Sequence, residues 1–130
     1  MGVSSPATRT RPVYSVPEID VDELAAAVPD GATVIDVREP TEYVSGHVPG
    51  AELVPMGQLP ARTAELNQSR PVYVICASGN RSAAMTAFLR QAGLDAWSVA
   101  GGTNAWAAAG RPLVTGRAER QPTSKKEIDD

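Results

Sequence analysis

The chain has 130 residues, with one cysteine and one histidine among them. A single thiol cannot close an internal disulfide, so nothing marks a stapled, secreted domain. One Cys and one His also cannot furnish a recognisable zinc or iron–sulfur ligand set, so neither a metal nor a cofactor is expected. No apolar run approaches the ~20 residues that cross a bilayer, and the stretch up to Val16 lacks a signal-like apolar block. Pro6 stands where a myristoylation pattern needs Ser or Thr. An excess of positive charge is missing too: the formal net charge is −3 and the pI about 5.1. Neither nucleic acid nor membrane is therefore expected as a partner, and a cytoplasmic protein is the default.

What is present is ordinary globular material, 42% hydrophobic and 21% charged, in a length that suits one domain with some tail. Residues 1–13 read as a flexible leader, 14–115 as the domain, and 116–130 as a disordered polar tail. Asp20 and Glu23 form a capping-box pattern opening a helix over Val21–Val28, with Pro29-Asp30-Gly31 ending it. Thr33–Val37 reads as a strand buried on both faces. Pro40–Val44 suits a short helix with Pro in its first turn, and Leu53-Val54 a brief strand. A helix is expected over Pro60–Leu66, a strand over Val72–Cys76, and a helix over Ser82–Ala92 stopped by Gly93. Ala96–Val99 and Thr103–Ala109 add a strand and a helix. The alternation predicts an α/β fold with a parallel sheet and helices on both faces. Ligands bind such sheets beyond the carboxyl ends of the strands.

Cys76 stands at one of those ends. The run Val72-Tyr73-Val74-Ile75-Cys76 passes into Ala77-Ser78-Gly79-Asn80-Arg81, and Ser82 opens the next helix. A lone cysteine in a strand is most often a small apolar filler. A filler, however, gains nothing from a Ser-Gly-Asn-Arg loop and a helix start beside it. The turn leaves backbone N–H groups free to converge, and the helix adds its positive end. A thiol at that point ionises more readily than a free one, and the thiolate is the nucleophile.

The chain resembles a single-domain rhodanese from about Ile19 to Leu113. The resemblance rests on Asp36-Val37-Arg38, Gly46-His47-Val48-Pro49-Gly50-Ala51, the Cys76–Arg81 loop with Ser82, Gly101-Gly102 with Trp106, and Gly110 with Pro112. It implies a rhodanese-like fold around a five-stranded parallel sheet, with sulfur transfer through a persulfide on Cys76. The donor would be thiosulfate or a similar small molecule, and the acceptor cyanide, a thiol or a partner protein. In that reading the N–H groups of Ala77, Ser78, Gly79, Asn80, Arg81 and Ser82 hold the anionic sulfur. Arg81 orients an oxyanionic donor, and Gly79 permits the turn.

Asp36 and Arg38 also fall at a strand end, where an anchoring ion pair is favoured over a catalytic role. His47, in its Gly-rich turn, suits a positional hydrogen bond better than a general base for Cys76. Trp97 and Trp106 read as packing residues. Two other functions compete. One is a sulfur-relay module serving a protein partner. The other is a phosphatase or arsenate reductase of the same fold, whose loop carries one more residue between Cys and Arg. The six residues from Cys76 to Arg81 make the tighter, sulfur-type loop.

Overall fold

The computed structural model describes residues 16–117. The expected leader, and residues 118–130 of the expected tail, lie outside them. Five strands, β1 (Glu18–Ile19), β2 (Thr33–Asp36), β3 (Glu52–Leu53), β4 (Val72–Ile75) and β5 (Ala96–Val99), form one sheet. The helices are α1 (Val21–Ala27), α2 (Pro40–Ser45), α3 (Leu59–Arg62), α4 (Asn80–Gln91) and α5 (Gly102–Ala108). All strand pairs are parallel, in the spatial order β1, β5, β4, β2, β3. Among the described residues, no helix is long and apolar enough to cross a membrane.

Alternation along the strands builds two cores. From β2 and β4, Ile35, Val37, Val72, Val74 and Cys76 point to the face covered by Leu59 of α3 and Leu89 of α4. Val34 and Ile75 point to the other face, against Leu24 of α1 and Trp106 of α5. Each fully buried Val, Leu or Ile contributes about 1.5–3 kcal/mol relative to exposure. The strands therefore need apolar residues on both sides, which explains their near-continuous apolar character.

Most boundaries fall within two residues of those expected. The capping box at Asp20 forms, with Glu23 N–H donating to Asp20 Oδ1 at 2.8 Å and Asp20 N–H to Glu23 Oε1 at 2.9 Å. Three differences stand out. β1 has no counterpart in the sequence-based elements, because two residues after Pro17 carry no readable period. The segment after Leu59 is helical only through Arg62 and continues as a 3₁₀ turn over Thr63–Glu65. The third difference matters most for the site: α4 starts at Asn80, not Ser82, because Gly79 at φ +113° turns the chain directly into the helix. Asn80 and Arg81 thus occupy its first turn.

The strand order reverses between β2 and β4. From β2 the chain steps outward to β3, whereas from β4 it steps the opposite way to β5. The crevice at their carboxyl ends is the topological switch point where α/β sheets bind ligands. Cys76 lies directly beyond β4, and Val37-Arg38 directly beyond β2. At the C-terminal end of the described chain, His47 and Val114 form an antiparallel bridge and Gly116 N–H donates to Val44 O at 2.9 Å.

Candidate active site

Cys76 is 1% exposed, at the floor of its loop. Its Sγ accepts hydrogen bonds from Gly79 N–H at 3.1 Å and Ser82 N–H at 3.3 Å. Neither donor is required by a helical ladder: Gly79 is the N-cap of α4 and Ser82 lies in its first turn, where N–H groups have no partner one turn back. Ser82 Oγ lies 3.6 Å from the sulfur and 2.8 Å from Ser98 Oγ on β5. Burial pushes the thiol up and is the largest single influence. The Ser82 hydroxyl, with the N–H groups of Ser82, Gly79 and Ser78, outweighs it and leaves the thiol below its ordinary value.

The back of the loop is clamped by α5. Cys76 O accepts from Thr103 N–H at 2.8 Å and Thr103 Oγ1 at 3.0 Å, while Ala77 O accepts from Asn104 N–H at 2.9 Å. Gly102 makes this approach feasible. A β-carbon there would stand 2.4 Å from Cys76 O and 2.6 Å from Ala77 O, and its φ is +59°. Ser78, Gly79 and Asn80 also line a cleft of about 410 Å³ with Glu18, Ala83, Ala100 and Gly101; Cys76 is not in its wall.

Charged side chains surround the loop in pairs. Arg81 Nη1 and Nη2 donate to Glu42 Oε1 and Oε2 at 2.8 and 2.9 Å. The Arg81 guanidinium, with the Glu39 N–H assisting, holds the Glu42 carboxyl down at about 2. At the end of β2, Asp36 and Arg38 are both buried. Arg38 Nε donates to Asp36 Oδ1 at 2.9 Å, and its Nη2 donates to Asp36 Oδ2 at 2.9 Å and to Gly46 O at 2.8 Å. His47 is buried next to them, its Nδ1 2.8 Å from Tyr43 O and its ring stacked 3.6 Å from that of Tyr43.

The family model for the rhodanese-like domain matches residues 20–109. This chain is a member of that family. It is 38% identical over 80 residues to a sulfurtransferase of Allochromatium vinosum, a match covering 60% of this chain and 75% of that protein. It is 42% identical over 62 residues to an uncharacterized Bacillus subtilis protein, YqhL, covering 48% of this chain. The chain spans about half the length of the Bacillus subtilis relatives it matches, 49% of YqhL and 44% of YrkF. The crystal structure of a rhodanese-related protein from Thermoplasma volcanium superposes with a TM-score of 0.73 at 36% identity, over 77% of this chain and 99% of that one.

Within this rhodanese-like domain, the residues singled out from sequence fall into four groups. Gly79 and Ser82 contact the sulfur through N–H groups, and Ser78 lowers the thiol from farther off. Ala77 instead fastens the loop to α5 through its carbonyl. Arg81 and Asn80 stand on the first helical turn, with Arg81 directed to Glu42. Arg38 donates to both Asp36 and the Gly46 carbonyl.

Sequence reasoning missed Glu42, Ser98 and Thr103. Ser98 carries a readable signal, a polar residue at a buried position of the apolar strand Ala96–Val99. Glu42 carries none, since its partner is 39 positions away.

Proposed function

We propose that this domain is a sulfurtransferase in which the Cys76 thiolate takes a sulfane sulfur from a donor such as thiosulfate and passes it to a thiophilic acceptor, cyanide or a thiol. The observation that carries the reading is the pair of N–H groups, from Gly79 and Ser82, directed at Sγ. Donors that hold a thiolate also hold the terminal sulfur anion of a persulfide, so one cradle serves both resting forms.

In the first step the thiolate attacks the outer sulfur of thiosulfate. A Cys76 S–S bond forms, the bond to the sulfite sulfur breaks, and sulfite leaves with that electron pair. The acceptor then attacks the outer sulfur of the persulfide, and thiolate is restored with thiocyanate or a new persulfide as product. Charge balances in both steps, and no external oxidant is needed. The two half-reactions predict ping-pong kinetics.

Intact-mass measurement tests the reading. Thiosulfate should add one sulfur atom to the protein, and cyanide should remove it. Cys76→Ser should show neither change. A persulfide on that variant, or efficient Cys76-dependent hydrolysis of aryl phosphates by the unmodified protein, would overturn the assignment.

A further inference from the structure

Besides Glu18, which lines the cleft beside the loop, four charged side chains stand around Cys76, and these four cancel in pairs. Arg38 is consumed by Asp36 and Gly46 O in the interior. Arg81 is the cation next in sequence to Ser82, whose N–H contacts Sγ. Both of its terminal nitrogens are taken by the two oxygens of Glu42. This second pair is on the rim, each side chain 34% exposed. It is therefore open to solvent, and Arg81 lies close enough to Cys76 for its charge to act on the sulfur.

Glu42 is held where it is by more than Arg81. Its Oε1 accepts from Glu39 N–H at 3.0 Å, closing the cap of α2. The same helix is anchored by the buried Tyr43 ring and its hydroxyl bond to Ala51 O. The carboxylate is thus a fixed feature of α2, and it stays ionised across the physiological range. A fork-to-fork pair is the strongest form of Arg–carboxylate contact, and it uses the geometry that a sulfonate-like donor oxygen pair would need.

We propose that Glu42 is a specificity-determining residue: by occupying both prongs of Arg81 it withholds that cation from dianionic donors and favours donors of low charge, alkyl or protein persulfides, over thiosulfate. The proposal rests on the reading that sulfur passes through Cys76, and it deepens that reading by naming the donor class. An anionic donor has to displace a carboxylate to engage Arg81, whereas a low-charge persulfide needs only the N–H groups around Sγ.

Binding separates this inference from the chemistry. In the Cys76→Ser background, where no sulfur can be transferred, thiosulfate affinity is measured by calorimetry with and without Glu42→Gln. Gln retains the oxygen that accepts from Glu39 N–H and Arg81 Nη1 but frees Arg81 Nη2 and removes the opposing charge, and affinity should rise about tenfold. Glu39→Gln removes a neighbouring charge that does not touch Arg81, and should change affinity less than about twofold. Replacing the whole pair, Glu42→Gln with Arg81→Gln, should leave affinity within about twofold of the parent, because an occupied arginine contributes little. The inference is overturned if Glu42→Gln brings no gain (including no detectable binding in either protein), if Glu39→Gln matches it, or if the double replacement weakens binding markedly. A gain at Glu42 together with failure of Cys76 to form a persulfide would sink the sulfur-transfer reading and leave the charge selection standing.

Discussion

The carboxyl ends of β4 and β2 face one crevice and use polar groups in opposite ways. Beyond β2, Asp36, Arg38 and the Gly46 carbonyl satisfy one another in the interior. Beyond β4, backbone N–H groups converge on a single sulfur atom, which in the proposed reaction takes up a second sulfur. The first end is a closed network whose groups have no reason to change partner. The second is a cradle whose occupant can change. Both are buried and polar, so burial alone does not distinguish scaffold from candidate site. What distinguishes them is whether the hydrogen bonds terminate on a group that can react.

The comparison breaks most sharply at Cys76. Cys76→Ser should abolish persulfide formation and lower sulfur transfer by at least ~10³-fold, while thermal unfolding shifts by only a few degrees. Arg38→Ala should do the reverse. Stranding the Asp36 carboxylate in the interior costs about 3–5 kcal/mol, read as a large drop in denaturant midpoint, with any loss of activity following the loss of folded protein. If Arg38→Ala keeps full stability, the closed-network description of the β2 end is wrong.

Gly102→Ala joins the two effects. A methyl 2.4 Å from Cys76 O must push the loop off α5. A loss of about 2–4 kcal/mol is expected from overpacking and the left-handed backbone together. Sulfur transfer should fall about tenfold or more in the protein that remains folded. Unchanged iodoacetamide reactivity of Cys76 in this variant would show that the clamp does not set the loop.

Smaller effects belong to the rim pair. Arg81→Ala should cost less than about 1 kcal/mol, as partly exposed ion pairs do, in contrast to Arg38→Ala. The Glu42 carboxyl is lowered from 4.5 to about 2 on folding. Its pairing therefore stabilises the protein fully above pH 4.5, and that contribution is lost as the pH falls towards about 2. Glu42→Gln should lower neutral-pH stability by less than about 1 kcal/mol and flatten the acid-unfolding curve in that window, the variant and the parent converging towards pH 2. A curve of unaltered slope would mean that other carboxylates dominate there.

Much of this was legible in the residues themselves. Two-sided apolar runs specify buried parallel strands, and the Asp20/Glu23 cap opens α1 as local chemistry dictates. A small polar loop between a strand and a helix marks Cys76, because converging N–H groups follow from the local backbone path. Gly79 belongs to the same class, since only its backbone freedom lets α4 begin beside the sulfur. β1 escaped because two residues carry no period, and it becomes a strand only by pairing with β5.

The sequence by itself determined the strands other than β1, the helices packed on them and the identity of the candidate nucleophile, all of which depend on neighbours along the chain. Tertiary structure alone decided which polar groups are spent and which remain to act. Arg81 looks free in the sequence, but Glu42, 39 positions away, occupies it. Thr103, 27 positions from Cys76, fixes the strand end on which the thiol sits, and Ser98 holds the Ser82 hydroxyl from another strand. The physical reason is range. Helix caps and strand alternation act over a few residues, whereas ion pairs and hydrogen bonds act through space, between groups that only the completed fold brings together.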